Sequence, residues 1–436
     1  MSDSENTLSF RLRAAAVALA GSARDPATTN LLRTLGYDDN DTNATTGRIR
    51  MLRSAALFRR LFRLPVPDAP GLIFFGAEAD PACLGPHNAG LPIGGFAGSG
   101  LDPRRAFESC VGEGVEYLSQ FAQPDDPSET RSFTAAADTL DPSTHNSVEA
   151  VLAACAIRAD QPISWTPIRR LTDGTSSWFP TDLCLRRASP DFIPPMKLST
   201  GCAAGETHDA ATLRGLLELI ERDAVALWWR GGRRPRPFPP DSEATALLAQ
   251  ARAGQGDRQT TLLDITTDLG IPTVAAFSTR PDGYGFALGT AARTTRTQAA
   301  CSAIFEMFQS ELSLHVIAAK QRESGPAALN ESDLRQQTRA STLNPDTCLL
   351  LQPDDSAPTP HIIPNETIGA LTLRLAEHGI VTWSVDLTRP QFEVPVVRVI
   401  APALQSEPSK ITSPRLARAI AETGGGAQYS GGVALL

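Results

Sequence analysis

The 436-residue chain is long enough for one large core or two to three ordinary domains, and with 42% hydrophobic and 20% charged residues it reads as globular rather than disordered. Forty basic residues against 48 acidic ones leave a net charge of −8, which gives no general reason to expect a nucleic-acid partner. No stretch approaches the run of about 18 apolar residues that a membrane span requires. The N-terminal MSDSENTLSF lacks the order of a secretory signal. The seven cysteines are scattered and form no CxxC, which suits reduced thiols in a cytoplasmic protein rather than a disulfide or zinc framework.

The first 65 or so residues read as helical. Between 48 and 63, Arg48, Arg50, Arg53, Arg59, Arg60 and Arg63 interleave with Ile49, Leu52, Leu57, Leu61 and Phe62. That is the pattern of a basic amphipathic helix, either packed on the main domain with a solvated Arg face or offered to a membrane, a partner or phosphate. Pro65 and Pro67 then lead into the strand-like GLIFFGAEA.

Beyond residue 70 the order is strand, small-residue loop and long helix, repeated. The small-residue segments 92–100 (PIGGFAGSG), 199–206 (STGCAAGE) and 285–291 (GFALGTA) precede helices expected over 103–121, 207–230 and 295–320. ISWTPIRRL, SSWFPTDLCL, TTLLDITTDLG, IPTVAAFST and VPVVRVIAPAL alternate or run apolar as strands do. Segments 122–144, 233–240 and 321–346 are rich in Pro, Ser, Thr, Asp and Arg and read as loops. A short helix and the Gly-rich GGGAQYSGGVALL, expected to be a mobile tail with an apolar tip, close the chain.

The three helices share one phrase: Ala106 leads to Glu113 and Glu116, Ala211 to Glu218 and Glu221, and Ala299 to Glu306 and Gln309, at identical spacing. Residues three apart on a helix are neighbours, and carboxylates held that close repel unless a cation or proton intervenes. A lone Glu pair is most often a solvated face. Here LRGLLELIERDAVALWW is apolar over most of its circumference, so at least one of Glu218 and Glu221 is expected to be buried, where an unpaired carboxylate is costly. Five Glu and one Gln suit Mg²⁺, which takes oxygen ligands and is usually shared with phosphates. Gly and Ala before a helix N-terminus would let phosphate approach free N–H groups. Neither a GxxxxGK[ST] P-loop nor a convincing GxGxxG is present. Arg222 either clamps phosphate or pairs with a neighbouring acid. Cys202 and His208 read as a small packed residue and a surface residue near a helix cap. Trp165, Trp178, Trp228 and Trp229 read as core or rim packing.

These segments resemble the YcaO-domain family. STGCAAGETHDAATLRGLLELIERDAVALWW is similar to its S-x-G-x-A-x-G and L-x-E-x-x-E-R-D signature. GSGLDPRRAFESCVGEGVEYLSQF resembles its earlier S-x-x-x-E-x-x-E helix, with Ser109, Glu113 and Glu116 in place. GTAARTTRTQAACSAIFEMFQ resembles its third helix, and VPVVRVIAPAL its late P-V-V-R-V-x-x-P strand. The resemblance covers about 70–405, leaving 1–69 as an N-terminal helical segment and candidate docking element, and 406–436 as a C-terminal helix and Gly-rich tail. Ser99 stands where the family usually has Lys, Glu206 where Asn is more common and Ala210 where an acid is usual. The C-terminus lacks the Pro-rich ending frequent in azoline-forming members.

The resemblance implies an α+β fold in which mixed β-sheets and long helices enclose a non-P-loop site for ATP and Mg²⁺. It implies metal near Glu113, Glu116, Glu218 and Glu221, with Glu218, Glu221 and Arg222 in catalysis. Ser109, Glu113, Glu116, Glu206, Glu306 and Gln309 are implied to bind nucleotide. The implied reaction activates backbone amides of a ribosomally made precursor peptide, cyclodehydrating Cys, Ser or Thr to thiazoline or oxazoline. The implied partners are the precursor peptide, a separate leader-peptide-binding protein and a flavin-dependent azoline oxidase, with assembly as a homo-oligomer or hetero-complex. A thioamide-forming enzyme served by a sulfur-delivery partner is one alternative. The other is a non-catalytic scaffold of a modification complex, supported only by the changes at 99, 206 and 210.

Overall fold

The computed structural model describes residues 3–21, 24–37, 45–123, 133–140, 148–149, 151–357 and 367–435. The chain divides into two compact units: Met1–Pro65 with Leu72–Leu216 and Thr382–Ile400, and Val66–Gly71 with Leu217–Val381 and Ala401–Leu436. The architecture is α+β, and every ladder between the named strands is antiparallel. The first unit holds a three-stranded sheet of Arg60–Leu64, Ile73–Ala79 and Gly94–Gly100. It also holds a larger sheet in the order Phe133–Ala136, Pro162–Arg170, Trp383–Asp386, Val396–Ile400 and Cys202–Ala204, with Ser176–Pro180 paired to Pro162–Arg170. The second unit holds a four-stranded sheet in the order Ala287–Ala292, Thr273–Thr279, Gln259–Asp264 and Arg236–Pro237.

Strands occupy most of the first and third small-residue segments, β1 (Gly94–Gly100) and β3 (Ala287–Ala292), whereas in the second only β2 (Cys202–Ala204) is strand and the residues on either side are turn or coil, as expected. They lead to the acidic helices α1 (Pro103–Ser119), α2 (His208–Trp229) and α3 (Arg296–Ser324). Close packing explains their composition. A Cβ on Gly98 would lie 2.1 Å from the Cys110 nitrogen of α1, and one on Gly289 would lie 2.2 Å from the Ala303 oxygen of α3. Glycine lets helix and strand meet at backbone distance. The helix N-termini carry their own acceptors: Asp102 Oδ1 takes Arg105 N at 2.9 Å, Thr207 Oγ1 takes Ala210 N at 3.1 Å and Thr295 Oγ1 takes Gln298 N at 3.2 Å. Each cap satisfies one of the N–H groups that a helix N-terminus leaves without an intrahelical partner.

Three further expectations are corrected. The basic helix ends at Ala55, and Arg60–Leu64 forms a sheet-edge strand with Arg60 paired to Glu78 at 3.0 Å. Residues Glu331–Thr342, read as loop, form a helix nucleated by a capping box between Asn330 and Asp333 and tied to α3 by Lys320–Asp333 at 2.9 Å. The Gly-rich tail is docked. Leu435 enters a cluster with Trp228, Trp229, Phe277 and Leu350, Trp229 Nε1 donates to Val433 O at 2.7 Å, and the Arg339 guanidinium donates to Leu435 O. Within 122–144, Phe133–Ala136 is an edge strand, while 124–132 and 141–144 lie outside the described residues. No described helix is long and apolar enough to cross a membrane.

Candidate functional site

In the first unit, Ser109, Glu113 and Glu116 fall on one face of α1, at i, i+4 and i+7. Ser109 and Glu113 are exposed and Glu116 is half-buried. Glu116 Oε1 accepts from Ala204 N of β2 at 2.7 Å, and Glu113 Oε2 accepts a longer bond from Ala97 N of β1 at 3.4 Å. Arg214 Nη1 donates to Ala204 O at 2.8 Å, so both polar groups of that strand residue are held by side chains from helices. Glu206, two residues past Ala204, is exposed. Glu108, which the paired-acid pattern passes over, has its carboxyl raised above its ordinary 4.5, chiefly by burial and against the pull of Arg104. His208 Nε2 lies 3.1 Å from Asp386 Oδ2 and 3.2 Å from Thr388 Oγ1 at the surface. Cys202 is a buried residue of β2.

In the second unit, the later part of α2 and α3 flank β3. Glu221 is 3% exposed. Its Oε1 accepts from Thr290 Oγ1 at 2.7 Å and its Oε2 from Ala292 N at 3.4 Å. Glu306 Oε2 accepts from Thr290 N at 3.3 Å, so one residue of β3 holds acids from two helices. Arg222 reaches both α2 acids, with Nη2 3.4 Å from Glu218 Oε1 and Nη1 3.8 Å from Glu221 Oε1. Burial, reinforced by the Glu221 charge and opposed by Arg222 and Arg293, pushes the Glu306 carboxyl up to about 8. Burial works against the Arg222 charge, but Glu221, Glu218 and Glu306 outweigh it and hold the guanidinium protonated. Gln309 is half-buried, one turn along α3 from Glu306.

Glu218, Glu221, Arg222 and Glu306 are therefore brought together around β3. Thr290 on β3 and Arg293 just after it, absent from the sequence-based set, join them, because neither lies on a helix whose spacing could flag it. Asp223 was also missed. It is fully buried, accepts from Gln405 N at 2.9 Å and Arg415 Nε at 3.0 Å, and so fixes the rotation of α2 that turns Glu221 and Arg222 toward β3.

Among the described residues no three His, Cys, Asp or Glu side chains form a cluster able to hold a metal alone. Mg²⁺ bound through nucleotide phosphates needs only one or two carboxylates. The donor set fits that arrangement: Glu218, Glu221 and Glu306 offer oxygens, and Arg222 and Arg293 offer guanidinium groups. The Nε of Arg222 is buried without a hydrogen-bond partner. A phosphate oxygen is a natural acceptor for it.

Comparison with known proteins agrees. The sequence profile of the YcaO cyclodehydratases matches residues 97–405. An uncharacterised protein from the tfuA 3′ region of Rhizobium leguminosarum bv. trifolii is 29% identical over 337 residues, covering 71% of this chain and 76% of that protein. A heterocyclase solved with substrate and cofactor superposes with a TM-score of 0.66 at 25% identity over 84% of this chain. The present chain spans about half of that protein, 52% of its length. YcaO from Methanopyrus kandleri, solved with AMPPCP and Mg²⁺, shares the fold at 19% identity, with a TM-score of 0.55 over 79% of this chain and 85% of its own. The chain belongs to the YcaO cyclodehydratase family, an ATP- and Mg²⁺-binding family.

Proposed function

We propose that this protein is a peptide cyclodehydratase that closes Cys, Ser or Thr side chains of a ribosomally made precursor onto the preceding backbone carbonyl, giving thiazoline or oxazoline. The observation that carries the reading is the set of Glu218, Glu221, Arg222 and Glu306 around Thr290, inside the segment matched by the family profile. An amide oxygen is a poor leaving group, and bound ATP with Mg²⁺ would supply the phosphoryl group that turns it into a good one. In this chain Glu218 and Glu221 would hold the cation, Arg222 and Arg293 would hold phosphate, and Glu306 and Gln309 would line the nucleotide. Ser109, Glu113, Glu116 and Glu206 of the first unit bind nucleotide or metal on the reading drawn from the family. Little covalent work falls to the protein, so positioning and fixed charge carry the rate. Residues 70–405 form the catalytic region, 1–69 an N-terminal helical segment that serves as a docking element, and 406–436 a C-terminal helix and tail. A flavin-dependent oxidase would convert azoline to azole.

The test is calorimetric titration of ATP with Mg²⁺ into the wild type and into Glu218→Gln and Glu221→Gln. Saturable binding by the wild type that both variants lose supports the reading. No binding at millimolar nucleotide, alone and with the partner protein present, would overturn it in favour of a scaffold.

A further inference from the structure

The segment GGRRPRPFPP, whose Arg234 and Arg236 the nucleotide site does not use, lines a second cavity. This cavity, of about 660 Å³ within the second unit, is bounded by Arg233, Arg234, Arg236 and Arg418, with Leu227, Trp228 and Tyr429 among its apolar walls. None of Glu218, Glu221, Arg222, Thr290, Arg293 and Glu306 lines it.

Its charges are unevenly matched. Of the lining acids, Asp268 is engaged by Arg415 at 2.7 Å, and Asp264 by Arg296 at 2.9 Å. Asp354 accepts from Ser356 N at 2.9 Å and Ser356 Oγ at 2.6 Å, and Glu422 is exposed. Among the described residues, Arg233, Arg234, Arg236 and Arg418 have no carboxylate within ion-pair distance, whereas Arg415, Arg252 and Arg258 of the same unit each do. Arg234 Nη2 donates to Gln352 O at 3.3 Å and Arg236 Nη1 to Ala357 O at 2.5 Å, so carbonyls fix these guanidiniums without neutralising them. The Nε of Arg234 is buried with no acceptor. Arg233 and Arg234 feel the charges of Asp268 and Asp354 only from beyond ion-pair distance, so guanidiniums with free donors remain around one cavity, and they match the forked geometry of carboxylate and phosphate. The volume is that of a small-molecule site.

We propose that this cavity binds a small organic anion with two or more charged oxygens, carried as a phosphoryl or polycarboxylate head group, at a site separate from the nucleotide.

The test is titration of pyrophosphate and, separately, tricarballylate into the full chain in excess EDTA, so that Mg²⁺ does not recruit either anion to the carboxylate site. The wild type, Arg233→Ala, Arg418→Ala and Glu221→Gln are compared, with thermal midpoints checked for each. Arg418 is exposed, so its variant keeps the test decisive if Arg233→Ala fails to fold. The expected result is wild-type half-saturation below about 1 mM by at least one anion, weakened about tenfold in each folded Arg variant and unchanged in Glu221→Gln. Response to pyrophosphate alone assigns a phosphoryl head group, and response to tricarballylate alone assigns a polycarboxylate. No wild-type saturation in that range, Arg variants that bind like the wild type, or loss of binding in Glu221→Gln would each overturn the proposal. Because Glu221→Gln is expected to remove ATP binding and to leave anion binding intact, failure here and failure of the proposed function are read separately.

Discussion

Thr290 holds two acids with two different donors, its hydroxyl on Glu221 and its backbone N–H on Glu306. Thr290→Val keeps the shape and the N–H but removes the hydroxyl, leaving Glu221 without its shortest bond. A hydrogen bond to a charged group contributes about 1.5–3 kcal/mol. ATP–Mg²⁺ affinity measured by calorimetry should therefore fall about tenfold or more, and an unchanged affinity would remove Thr290 from the site. Glu306 makes the second prediction. Its folded carboxyl titrates near 8 and its ordinary value is 4.5, so between those limits the folded chain holds a proton that the unfolded chain has lost. Stability is fully present below about 4.5 and declines as the pH rises through about 8. In denaturant melts without nucleotide, Glu306→Gln should flatten that decline; an identical slope in wild type and variant would show that Glu306 is not its source. The paired acids were legible in the sequence because spacing on a single helix needs no knowledge of tertiary structure. Thr290, Arg293 and Asp223 were not, since their partners lie elsewhere in the chain.

The close approach of strand and helix is what the small residues before each acidic helix provide. Gly98→Ala would set a methyl 2.1 Å from the Cys110 nitrogen, inside any permitted contact. Overpacking costs typically about 1–3 kcal/mol, so its denaturation midpoint should fall clearly below that of the wild type. Asn330→Ala tests a different device. Asn330 is exposed, and the loss of a capping side chain costs about 1 kcal/mol. A drop far above that would mean that the Glu331–Thr342 helix is coupled to more than its cap. Both elements were misread for definable reasons. Gly and Ala are poor strand formers, so β1 and β3 looked like loops. The 331–342 helix has no buried residue and hence no apolar stripe to give it away. Its Asn330-x-x-Asp333 cap was the available signal. The three long helices were readable because each carries its acids at one helical spacing in a long stretch free of Pro, and the fold class followed from the resemblance those phrases carry.

Neither unit is a continuous stretch of chain: the path changes unit after Pro65, Gly71, Leu216, Val381 and Ile400, the third time within α2. The second unit's core depends on its late segments, since Leu416 and Ala419 pack on Leu227, and Leu435 joins Trp228 and Trp229. A fragment of residues 217–381 alone should thus melt without a cooperative transition in circular dichroism, and a sharp transition would show that the late segments are dispensable. The same threading bears on how such a protein could diversify. A single genetic crossover exchanges one contiguous stretch of sequence, so it cannot import either unit intact from a homologue. Junctions drawn at the unit borders would separate residues 217–381 from 401–436, and a chimera would inherit the two sides of one core from different parents. Crossovers within residues 217–436 should therefore give chimeras whose second-unit core is assembled from two unmatched halves, and point substitution is the route by which this region can vary without that penalty.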